Sequence, residues 1–193
     1  QFFAKEGTPQ AQFVSESFSD SLMSSAAMVS APHPETKSIL IEANSLLFSD
    51  IPNNRVMRYD EVNDTVATFE APSNFANGHT LDREGRVISC EHLTRRVTRR
   101  EHDGSLTILV DRFDGKRLNS PNDVIADSKG NIWLGMLREG LVKINSAGEK
   151  KYYKLPSGLV GDDVYDITED GKGQIWIGTS NGLSRFHDNR FSN

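Results

Sequence analysis

Apolar residues along this chain fall in short runs separated by turn residues, and three stretches, 76–88, 121–133 and 164–176, repeat one order. In each, an apolar run meets an Asp-x-x-Gly tetrad, headed by Asp82, Asp127 and Asp170, and a second apolar run follows. The Asp bonds its own backbone and the Gly takes a positive φ, so each unit predicts a β-hairpin. Gly140 to Ile144 and Gly182 to Phe186 then alternate apolar and polar residues, which marks a third strand with one buried face. Arg55 to Tyr59 and Arg96 to Arg99 are its counterparts, and fourth strands read at Thr65 to Phe69, Ser105 to Val110 and Lys151 to Leu155. No stretch carries a helical period.

The anchoring aspartates lie 45 and 43 residues apart, the period of a four-stranded propeller blade. The expected fold is therefore all-β: a β-propeller or partial β-propeller with about four four-stranded blades, at 38–72, 76–112, 121–156 and from 164 onward. The last unit reaches Asn193 before a fourth strand, so its blade is expected to be incomplete. Propellers protect their strand edges by closing the ring. Closure could use an N-terminal strand, with Gln12-Phe13-Val14 the best candidate, or a second copy, or the chain is a fragment. Residues 1–34 read as an arm or linker, rich in Ser and Ala from 15 onward, and residues 35–193 as the propeller domain. Trp133 and Trp176 hold equivalent apolar positions and are expected in the core.

Composition narrows the partners. A net charge of -5 argues against nucleic acid and anionic membrane and favours small polar or cationic ligands. No apolar run approaches the ~18 residues that span a bilayer, and no signal-peptide pattern is present, so a soluble protein of cytoplasm or periplasm is expected. The chain begins with Gln1, consistent with removal of an N-terminal piece. Cys90 is the only cysteine, which excludes an intrachain disulfide and a cysteine zinc cluster. Gly178-Thr179-Ser180-Asn181-Gly182 matches the nucleophile-elbow pattern, but that motif needs a strand-to-helix turn and here it joins two strands.

The candidate chemistry sits where each blade begins. Asn77 and Asn122 share one repeat position, and Asp123 and Asp166 the next. On a propeller these positions converge on the axis, where carbonyl and carboxylate oxygens suit a hard cation such as calcium. The competing reading is that they cap loop-to-strand turns.

Leu47 to Tyr59, Ala76-Asn77-Gly78, Cys90-Glu91-His92, Arg95 to Arg99 and Gly115 to Val124 together resemble the gluconolactonase family, related to regucalcin and senescence marker protein. The resemblance runs over 46–135 and implies a six-bladed propeller that hydrolyses sugar lactones with an axial divalent metal, usually calcium. It implies Asn122 at the metal and substrate centre, with Asp123 beside it, both as catalytic candidates. Asn77, His79 and Arg117 become candidates for substrate binding, and Asn122, Glu35 and Asp166 for metal. The Glu-Gly-Pro that the family places in its first blade is missing; Glu35 stands at about its spacing, with Glu42 also near. Glu91-His92 follows a strand and reads equally well as a rim element.

From Trp133 onward the chain resembles the propeller repeats of bacterial two-component sensors, which sense ligands, and the family's later metal-binding asparagine and aspartate have no matching motif. The expected function is that of a calcium-dependent lactonase, a carboxylic ester hydrolase acting on a small sugar lactone, with Asn122 replaceable at little cost to the fold. The alternative is a non-catalytic ligand-binding or scaffold propeller, natural or chimeric, able to self-associate through its open blade edge.

Overall fold

A computed structural model describes residues 39–42, 44–113 and 115–193; the N-terminal arm, its candidate strand at Phe13, and Glu35 lie outside the described residues. Four antiparallel four-stranded sheets follow one another in chain order. The first comprises β1 (Ile39–Glu42), β2 (Ser45–Asp50), β3 (Arg55–Asp60) and β4 (Thr65–Glu70), and the second β5 (Ala76–Leu81), β6 (Val87–Glu91), β7 (Arg96–Arg100) and β8 (Leu106–Val110). A small hairpin, β9 (Arg112–Phe113) and β10 (Lys116–Arg117), precedes the third sheet of β11 (Pro121–Ala126), β12 (Ile132–Met136), β13 (Gly140–Ile144) and β14 (Lys150–Tyr153). The fourth holds β15 (Val164–Glu169), β16 (Ile175–Thr179), β17 (Gly182–His187) and β18 (Arg190–Ser192). The first strands β1, β5, β11 and β15 pack against one another, so the sheets stand side by side as four blades of a β-propeller. Helical structure among the described residues is limited to two three-residue 3-10 turns, and no helix there is long and apolar enough to cross a membrane.

The Asp-x-x-Gly tetrads make the same turn three times. Asp82, Asp127 and Asp170 each accept two backbone N–H groups on Oδ1, and Gly85, Gly130 and Gly173 sit at φ of 77°, 78° and 75°. The second carboxylate oxygen fastens the next strand, taking Arg86 Nε in one blade and the indole N–H of Trp133 or Trp176, at 2.8 and 2.9 Å, in the others. A side chain that supplies both the turn and a strand anchor explains why this Asp recurs.

Two expectations need correction. The last blade is complete, because Asp188 and Asn189 take left-handed φ values of 47° and 59° and turn the chain back within two residues, letting β18 pair with β17. Trp176 is half-buried, whereas Trp133 is 1 % exposed. Ile88 and Trp133 face the following blade, where Trp133 packs edge-on against Phe186 of β17 at 5.0 Å between ring centroids, and Trp176 holds the same position in the fourth blade. The fourth blade has no successor among the described residues, so Tyr165 and Leu183 on that side stay about half exposed, while Leu141, counterpart of Leu183, is fully buried.

Candidate active site at the propeller axis

Each of β5, β11 and β15 opens with a register shift, between Ala76 and His79, Pro121 and Asp123, and Val164 and Asp166. A bulge re-aims the residue it leaves unpaired. The residues so re-aimed are Asn77, Asn122 and Tyr165, at the ends of the strands that meet on the axis. The adjoining position is Gly78, Asp123 and Asp166. A Cβ on Gly78 would lie 2.7 Å from Asn122 O and 2.8 Å from Asp123 Cα, so only glycine lets the two inner strands approach this closely.

The structure brings four expected residues together. Asn77 Nδ2 donates to Asn122 Oδ1 at 2.6 Å and lies 3.3 Å from His92 Nε2. Asn122 Nδ2 donates across to the carbonyls of Val164 and Tyr165, both at 3.1 Å. Asp123 Oδ2 accepts Ile167 N–H at 2.8 Å, and its carboxyl lies within hydrogen-bonding reach of Asp166. Asn122 and Asp123 therefore clasp the third blade to the fourth. This overturns the expectation that Asn122 is dispensable to the fold, because its amide serves three partners in a site where it is 2 % exposed.

The electrostatics follow from crowding two carboxyls. Burial, then the charge of Asp166, pushes Asp123 up to about 8, and partial burial raises Asp166 as well. Burial and the neighbouring charge favour the proton on Asp123, the more deeply buried of the two, over Asp166 on the exposed side. Cys90 sits behind the pair, its thiol pushed well up by burial first and by Asp123 and Glu91 next.

Asn77 Oδ1 is a buried oxygen with no hydrogen-bond partner, and Asp123 Oδ1 has only the Asp166 carboxyl within reach. Orphaned hard oxygens are the donor type that a divalent cation takes. With Asp166 at the solvent side they fit such an ion in kind. Asn122 Oδ1 is occupied by Asn77, and no trio of His, Cys, Asp or Glu among the described residues is arranged as a metal cage.

Other candidates fall elsewhere. His79 is 2 % exposed and lies between the first two blades, with Nε2 at 2.8 Å from Ser49 Oγ and Nδ1 at 2.9 Å from Ser89 Oγ. Ser49 donates its proton to Asn77 O, so His79 Nε2–H donates to Ser49, and Nδ1 accepts from Ser89. Burial lowers its pKa to about 4, leaving a neutral ring that braces two blades. Arg117 is exposed on β10 and donates to Thr94 O at 3.0 Å.

Glu91 is 3 % exposed rather than on the rim, and accepts from Asn74, Thr94, Arg96 and Thr98. Asp50 and Arg55 repeat the Glu91–Arg96 pair one blade earlier, at 2.7 against 2.9 Å. The sequence reading missed this acid–arginine corner, although both pairs have the same five-residue spacing at the same strand ends. Blades three and four replace it with Met136 and Gly140, and Thr179 and Gly182.

The family model described as SMP-30/Gluconolactonase/LRE-like region matches residues 34–183. A gluconolactonase of Zymomonas mobilis subsp. mobilis is 28% identical over 156 residues, an alignment covering 73% of this chain and 42% of that protein. The chain thus spans less than half the length of this curated relative. Among solved structures, a gluconolactonase from Xanthomonas campestris superposes with a TM-score of 0.69 at 23% identity, over 82% of this chain and 60% of the other. The extracellular domain of a hybrid two-component system from B. thetaiotaomicron gives 0.63 at 17% identity, over 82% and 23%. At these identities the structural likeness shows the propeller fold.

Proposed function

The chain belongs to the SMP-30/gluconolactonase/LRE-like family, and from that premise we propose that its axial cluster opens the ring of a sugar lactone by hydrolysis. The observation that carries the reading is the convergence of Asn77, Asn122, Asp123 and Asp166 at the axial ends of their strands, with the buried Asn77 Oδ1 left without a partner. Ester hydrolysis needs a base for the attacking water, an orienting donor set, and a proton for the departing ring oxygen. Asp166, the exposed carboxylate, takes a proton from water as its oxygen bonds to the carbonyl carbon. Asp166 passes that proton to the ring oxygen as the acyl C–O bond breaks, and the product is a hydroxy acid. Asn77, and Asn122 behind it, orient the sugar hydroxyls. Calcium or another divalent cation, held by Asn77, Asp123 and Asp166, would supply Lewis-acid polarisation of the lactone carbonyl.

The clasp role of Asn122 and Asp123 favours a second reading, in which the cluster is structural and the propeller binds ligands without turning them over. Base-titrated hydrolysis of glucono-δ-lactone, with calcium and then with excess chelator, separates the two. The lactonase reading expects turnover above the spontaneous rate, cut at least tenfold by Asp166→Asn at unchanged thermal midpoint. Turnover equal to background in saturating calcium would end it.

A further inference from the structure

The connection from the second blade to the third carries Arg112, Lys116 and Arg117 on the β9–β10 hairpin, all exposed. Arg112 and Arg117 stand directly opposite one another in register, a like-charged cross-strand pair that destabilises a hairpin unless an opposite charge lies close. The hairpin is nonetheless fixed. Phe113 stacks on Tyr152 of β14 with ring centroids 3.3 Å apart, and Leu118, 2 % exposed, roots its far end in the core. Arg117 donates to Thr94 O at 3.0 Å, which sets its guanidinium against the turn that carries the exposed Arg95 at a left-handed φ of 53°. Arg96, Arg99 and Arg100 on the adjoining β7 each pair with a carboxylate. Arg95, Lys116 and Arg117 pair with none among the described residues, in a chain whose net charge is -5. The turn that holds Thr94 and Arg95 begins with His92, which touches Asn77 at the axis, so a single turn links the axial cluster to this cationic rim.

We propose that Arg95 and Arg117 form an anion subsite beside the axial cluster, and that the substrate is a sugar lactone carrying a phosphate or carboxylate remote from its ring. The substrate half rests on the lactonase reading. Two guanidinium forks suit a multivalent oxyanion, which accepts parallel N–H donors that a neutral sugar end would leave unused.

The ring-opened acids allow binding to be measured without turnover. Calorimetry with gluconate, gluconate 6-phosphate and glucarate compares an acid with no remote anion, one with a remote phosphate and one with a remote carboxylate. At least tenfold tighter binding of either doubly anionic acid is expected, weakening as salt rises. Arg95→Gln with Arg117→Gln should erase that preference, and Arg117→Lys should keep most of it. Equal binding of all three acids, or a preference that survives the double glutamine variant, would overturn the inference. Lactone opening with no such preference would leave the lactonase reading standing alone, and the preference without lactone opening would leave the anion subsite alone.

Discussion

Replacing Asn122 by alanine tests whether the axial cluster holds the blades together as well as facing substrate. The side chain is 2 % exposed and makes three hydrogen bonds, one accepted from Asn77 and two donated to the Val164 and Tyr165 carbonyls. Truncation leaves Asn77 Nδ2 with only its longer contact to His92 Nε2, at 3.3 Å, and a buried polar group stripped of its partner costs about 1–3 kcal/mol. Val164 O is buried, whereas Tyr165 belongs to the half-exposed face where water can enter, so the second loss is nearer the lower end of that range. A total of about 3 kcal/mol converts, for a domain of this size, into a fall of roughly 6–12 °C in thermal midpoint. The assay is thermal and denaturant unfolding, with lactone hydrolysis read well below the variant's midpoint. A midpoint within about 2 °C of the parent would refute the clasp, since no arrangement of these three bonds loses so little. A large drop with full activity in the cold would refute a role for Asn122 in orienting substrate.

Gly78→Ala should be more disruptive than a surface Gly→Ala, because its methyl meets backbone atoms at 2.7 and 2.8 Å; soluble yield and midpoint should both fall, and Gly171→Ala, with open space around its Cβ, is the matched control. His79 has a folded pKa of about 4 against 6.5, so the unfolded chain takes up a proton that the folded chain refuses. Stability should fall as pH drops from 6.5 towards 4, by about 3 kcal/mol in all, and His79→Gln should flatten that limb in denaturant titrations. Asp123 behaves with the opposite sign: its pKa is raised to about 8 in the fold, so stability should be lost as pH rises from 4 through 8, and Asp123→Asn should remove that slope in midpoints measured across the range.

The repeat was legible because its signals are local. An Asp-x-x-Gly turn and a following apolar run specify a hairpin by themselves, and the 45- and 43-residue spacing orders the blades. The missed strand Arg190–Ser192 also had a local signal, the Asp188-Asn189 pair, both of which tolerate left-handed φ, but three residues are too few to show alternation. The half-exposure of Trp176 had no local signal, since burial of that position depends on the blade packed against it. His79 could have been placed by register, because its counterparts Val124 and Ile167 are core residues that face the preceding blade. At Asn122 the sequence located the side chain on the axis but not its duties, which rest on carbonyls 42 and 43 residues away.

One arrangement therefore has to do two things at the axis. Asp123 spends one oxygen on the next blade, through Ile167 N–H, and its other oxygen is what remains for chemistry. Asn122 spends both ends of its amide on neighbours, which leaves Asn77 Oδ1 as the unused carbonyl of the pair. In the fourth blade the same two positions hold Tyr165 and Asp166, with no blade beyond them among the described residues to receive a clasp, and Asp166 turns to Asp123 instead. Buried Asp123 and exposed Asp166 thus face one another, and their closeness favours a proton on the buried carboxyl. At Asp123 the atom that holds the next blade and the atom left over for a ligand are different atoms of one side chain, whereas Asn122 serves the clasp alone and leaves Asn77 Oδ1 to face a ligand.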